Sequence, residues 1–144
     1  MSSIVKFFVA PDDASAALVV ETGPGHAFET LSFGNFDSEE AVVEWECLLS
    51  GGDFEQLVEA GEPRVVAGED DDGCVVFALS ARLTGALAEA ERFRLREVAE
   101  AWARQRAEDG AAIDTELAGE MVESLGTLAR GTEERGHGLY CWLA

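Results

Sequence analysis

Apolar and polar positions follow two periods along the chain. Ser3 to Ala10 (S-I-V-K-F-F-V-A) is rich in β-branched and aromatic side chains, the pattern of a buried strand. Pro11 ends it, and Pro11-Asp12-Asp13 opens a short helix expected to run through Val20 and to stop at Gly23-Pro24-Gly25. A strand follows from about Ala27 to Phe33. Asp37-Ser38-Glu39-Glu40 starts a helix in which Ala41, Val42, Trp45, Leu48 and Leu49 share one face. Glu44 and Glu46 flank that face, Val43 and Cys47 form a smaller apolar strip on the far side, and Gly51-Gly52 ends the helix.

Asp53 to Ala60 reads as another short helix. Arg64 to Ala67 and Cys74 to Leu79 read as strands joined by the polar turn Gly68 to Gly73, and the unbroken apolar run of the second places it inside a sheet. Ser80 caps a helix carrying Leu83 and Leu87. Residues 91–107 turn Leu95, Val98, Ala99 and Trp102 inward, and a last helix capped at Asp114 or Thr115 presents Leu117, Met121, Leu125 and Leu128 before ending near Gly136. Gly138 to Leu143 closes the chain as a strand. Together these elements predict a single α+β domain over residues 1–144. Its sheet has about five strands, the N- and C-terminal strands plus a central hairpin, and helices cover one face.

Charge changes the picture. The 144 residues carry 29 acidic and 10 basic side chains, a net charge of −19. Residues 37–72 hold 13 acids against Arg64, whereas 73–110 are balanced at six of each sign. A field of this sign argues against an ordinary nucleic-acid or anionic-membrane binder and steers cationic partners inward. No apolar run reaches the length of a membrane span, and the N-terminal run is broken by Lys6, so a cytoplasmic location is expected. Cys47, Cys74 and Cys141 lie far apart without a C-x-x-C pair, which argues against a disulfide framework or a structural zinc site.

Candidate chemistry is sparse. His137 and Cys141 are too far apart on an extended strand to act as a nucleophilic pair, at roughly 13 Å. Gly23-Pro24-Gly25 lacks the Lys-Ser/Thr end of a phosphate loop, and no cofactor is implied. Glu69 to Gly73 lacks the alternating ligands of a calcium loop, and no metal site is expected. Two functional expectations remain. The first is a non-enzymatic interaction module, as an immunity protein, inhibitor or adaptor is, that offers Glu55, Glu59, Asp70, Asp71 and Asp72 to a basic protein partner. The second is a small-molecule site or enzyme with a pocket near Asn35, Glu44, Trp45 and Tyr140, where an acid beside an indole has an altered proton affinity. Self-association is expected through Val43, Cys47 and the helix glycines Gly119 and Gly126, which let a second chain approach closely.

Phe33-Gly34-Asn35-Phe36-Asp37, Val43-Glu44-Trp45-Glu46, Phe77-Ala78-Leu79-Ser80 and Gly138-Leu139-Tyr140-Cys141-Trp142 resemble a group of small acidic actinobacterial proteins with no assigned function. The C-terminal half is also similar to YfbM-like domains of unknown function. Neither resemblance implies catalytic residues.

Overall fold

The computed structural model describes residues 4–21, 23–25, 28, 30–33, 36–68, 74–110 and 112–144. They form the strands β1 (Val5–Ala10), β2 (Thr30–Phe33), β3 (Arg64–Gly68), β4 (Val75–Ala78) and β5 (Gly138–Leu143). The helices are α1 (Asp13–Ala17), α2 (Ser38–Ser50), α3 (Phe54–Glu59), α4 (Ala81–Glu89), α5 (Arg92–Glu108) and α6 (Thr115–Arg135). The sheet is antiparallel throughout, in the order β2-β1-β5-β4-β3, so both terminal strands lie side by side in its interior. This is the α+β architecture that the hydrophobic pattern predicts. The short helix near the N-terminus ends at Ala17 instead of Val20, and turns continue to Glu21.

Strand alternation divides the core in two. Phe77, Cys141, Phe7 and Leu31 follow one another across the sheet on the face covered by α2, α4, α5 and α6. Ala78, Tyr140 and Phe8 form the adjacent row on the opposite face, with Val76 and Trp142 beyond them. That second face is covered by α1 with Val19, Val20 and Phe28. Leu117 is exposed in the first turn of α6, whose buried stripe runs through Ala118, Met121, Val122 and Leu125.

The helix ends explain where the arginines go. Neither α2 nor α4 has a basic residue in its last turn. Arg94 and Arg82 donate instead to the carbonyls of Leu48 and Ser50 at the end of α2, at 2.8 and 3.1 Å. Arg130 reaches the carbonyls of Ala88 and Ala90 at the end of α4. A guanidinium there satisfies orphan carbonyls and complements the negative end of the helix. At the other ends, Asp12, Asp37, Asp53, Ser80 and Asp114 each cap a helix through a side-chain oxygen, while Glu91 at the start of α5 makes no such bond.

Candidate functional site

Helix α2 is packed against the sheet, α4 and α5, which buries six successive residues, Ala41 to Glu46. Trp45 is 0 % exposed. Its ring meets Trp102 edge-on at 5.1 Å and lies 6.0 Å from Phe7 and 6.3 Å from Phe36. The glutamates on either side of it are buried with it. Glu44 Oε1 accepts from Trp102 Nε1 at 3.1 Å and forms an ion pair with Arg106 Nη2 at 2.6 Å. Arg106 Nη1 also faces Glu40 at 3.7 Å. Burial pushes the Glu44 carboxyl up, and the Trp102 N–H and the Arg106 charge pull against that rise. Glu46 accepts from the Ser80 hydroxyl, which itself accepts from Leu83 N–H at 3.0 Å to cap α4. The two acids therefore join α2 to α5 and α2 to α4.

Glu44 also reaches the wall of a groove between α2, α3 and the C-terminal end of α5. The groove encloses about 380 Å³, and Glu40, Glu44, Glu108, Asp109, Cys47 and Phe54 line it. Arg106, nine-tenths buried behind it, bridges Glu40 and Glu44. Burial and then the charges of Glu46, Asp53 and Glu44 push the Cys47 thiol up, which keeps it a weak nucleophile. Helix α3 borders this groove, buries none of its own residues, and leaves Phe54 and Val58 exposed at 38 % and 49 %. Glu55 and Glu59 stand on the same helix and are exposed.

Tyr140 lies on the other face of the sheet. Its hydroxyl donates to Asp13 Oδ1 at 2.8 Å, and Arg64 donates to both Asp13 oxygens at 2.6 and 3.2 Å. Burial and the Asp13 acceptor push the Tyr140 phenol up to about 12, and the Arg64 hydrogen bond holds the Asp13 carboxyl low. Arg64, Tyr140, His137, Glu133 and Thr84 line a cavity of about 430 Å³ between the sheet, α4 and α6.

The structure thus separates residues grouped by the sequence. Trp45 anchors the core, Glu44 borders the acidic groove, and Tyr140 is across the sheet, so the three do not share a pocket. Asn35, Asp70, Asp71 and Asp72 lie outside the described residues, whereas Glu55 and Glu59 are exposed on α3. The expected self-association positions are mostly internal. Val43 is 3 % exposed, Gly119 is buried, and a Cβ on Gly126 would stand 2.6 Å from Leu95 Cδ1. Gly126 lets α4 and α5 close on α6 within the chain, Cys47 borders the acidic groove, and a Cβ on Gly119 would meet nothing within 4 Å. The residue that sequence reasoning missed is Arg106, four positions after Trp102 on the inward stripe of α5. A lone base on an otherwise apolar face was the available signal. Among the described residues, no group of three or more His, Cys, Asp or Glu side chains is arranged to hold a metal ion. No helix among them is long and apolar enough to cross a membrane.

No protein-family model matches this chain, and no curated protein does. Among solved structures, the protein of unknown function YfbM from Escherichia coli is similar over 98 % of this chain and 99 % of its own, at 13 % identity and a TM-score of 0.44.

Proposed function

We propose that this chain is a non-catalytic interaction module that receives a basic protein segment on α3 and the adjoining groove. The observation that carries the reading is the neighbourhood of Phe54. An exposed aromatic on a helix with no buried residue stands beside Glu40, Glu44, Glu108 and Asp109. Exposed apolar side chains ringed by one sign of charge make a docking face, in which the apolar part supplies contact area and the charges set partner choice and association rate. The negative end of α5 adds to the field at the groove.

The test is fluorescence anisotropy of a labelled oligoarginine peptide, with oligoglutamate as control. The peptide should bind at low salt and weaken as salt rises, and E108Q/D109N should reduce binding. A mere polyanion responds to charge alone. Phe54→Ser and Val58→Ser, which leave the charge intact, should therefore cost about tenfold in affinity, the worth of roughly one buried apolar group. No binding at low salt, or indifference to both apolar variants, rejects the reading.

A second reading, small-molecule binding, draws on the Tyr140 cavity, where Arg64 comes from the sheet and Glu133 from α6. Opposite charges in one cavity suit a small zwitterion. Glycine titrated against the His137 ring protons should shift them saturably, and a flat titration removes this reading.

A further inference from the structure

The charges along α5 run against its dipole. Arg92, Arg94 and Arg96 occupy its first five positions, where the helix end is already positive, and Glu108 and Asp109 stand at its negative end. Each misplaced charge costs stability at low ionic strength. The one base of the last turn, Arg106, is turned inside against Glu44 and Glu40. The helix therefore carries a basic end and an acidic end about 25 Å apart.

The basic end is prepared for contact. Arg92 and Arg96 each donate Nε–H to the same Glu123 oxygen, at 2.9 and 2.8 Å, so one carboxylate holds two guanidiniums in place. Glu123 is itself mostly buried, whereas Arg92 and Arg96 remain 78 % and 59 % exposed. These bonds use Nε–H, and the guanidinium fork has further N–H donors that grip carboxylates. Phe93, between them in sequence, is 73 % exposed. Glu120 and Arg130 complete the groove of about 470 Å³ beside Arg92.

We propose that the chain associates head to tail with itself, the Arg92–Phe93–Arg96 end of α5 in one copy docking on the Glu40, Glu108, Asp109 and Phe54 groove of the next. The occupant follows from complementarity: exposed Phe93 stands with the exposed Arg92 and Arg96, exposed Phe54 stands with Glu40, Glu108 and Asp109, and one chain carries both. The inference rests on the groove being a docking face, and it supplies that face with a basic partner. Such a contact is heterologous, so it propagates into chains unless the rotation closes a ring.

Salt sets a signature. Two molecules of net charge −19 repel over a Debye length of about 30 Å at 0.01 M salt, while at about 1 M the contact itself is screened. Association should peak near about 0.1 M, where the local attraction outlasts the long-range repulsion. Sedimentation velocity of the full chain over a concentration series should show the average mass rising most at that ionic strength. R92Q/R96Q and E108Q/D109N should each weaken association at least tenfold, by roughly the loss of one desolvated charge contact. Mixed together, these two variants keep one intact interface and should form a one-to-one dimer that grows no further. Monomer at every salt and concentration overturns the proposal. So does association that strengthens steadily with salt, that ignores both variants, or that is not recovered on mixing. Oligoarginine binding separates this from the preceding reading, because R92Q/R96Q should retain it even if self-association fails, and E108Q/D109N should not.

Discussion

The two faces of the sheet are held by different means. Under α2, α4, α5 and α6 the contacts are broad and apolar: Phe7, Phe77, Trp45, Trp102, Leu87 and Leu125 are each at most 1 % exposed. Among the described residues, the opposite face is covered by a five-residue helix, the turns after it and Phe28. There, single polar contacts fasten the cover to the strands. Tyr140 and Arg64 hold Asp13, and Trp142 Nε1 donates to the carbonyl of Val20 at 2.9 Å. Dispersion and burial scale with area, so the thick layer does not hang on any one of its directed bonds. A thin cover over the same sheet depends on each bond it makes.

The strongest test of this contrast is Trp45→Ala. It removes a ring that touches Phe7, Phe36 and Trp102 at once, and the surrounding helices cannot collapse fully into the space. Urea denaturation should show a loss of about 3–5 kcal/mol, with both faces unfolding together. A loss near 1 kcal/mol would mean that the aromatic cluster is not what secures the thick layer.

The thin cover answers to a gentler change. Tyr140→Phe keeps the ring, which stacks on Phe8 at 5.7 Å, and deletes only the hydroxyl that reaches Asp13. The global cost should be about 1 kcal/mol, the usual net worth of one hydrogen bond. The sharper readout is hydrogen exchange, which should accelerate in α1 while α5 and α6 keep their protection. Uniform acceleration would erase the distinction between the two layers.

How much of this was legible beforehand follows from range. Helix boundaries rested on local chemistry, Asp or Ser at the start and glycine at the end, and Gly51 and Gly136 do adopt the left-handed backbone of such ends, at φ of 73° and 68°. The membership of both terminal strands in the sheet followed from two apolar runs that each needed partners, whereas their order did not. The arginine caps of α2 and α4 were not legible, because donor and acceptor are 32 to 46 residues apart in sequence. The same holds for Glu44. Its place at the edge of the α2 stripe was correct, but its burial depends on Arg106, a residue that no local pattern links to it. Tyr140 was grouped with Trp45 as an aromatic of interest, and only strand parity, the alternation that sends Cys141 to one face and Tyr140 to the other, separates them.

Glu44 supplies the smallest expected effect. Burial raises its carboxyl above the ordinary glutamate value of about 4.3, so the folded chain holds this proton more tightly than the unfolded one. Stability from this group is therefore full below the ordinary value and declines as pH rises from there through the raised one. Asp13 and Glu123 act in the opposite sense, because arginine hydrogen bonds hold both carboxyls low; their stabilisation is present above the ordinary range and fades as pH falls through their depressed values. The two windows lie on either side of the ordinary carboxylate range and can be read apart. Trp102 reports on the first, since its Nε1–H points at the titrating oxygen. Indole fluorescence should show a small step above the ordinary glutamate value in the wild type and none in Glu44→Gln, which still offers Trp102 a carbonyl acceptor. A step that survives in Glu44→Gln would assign the titration to another group and leave Glu44 without a part in it.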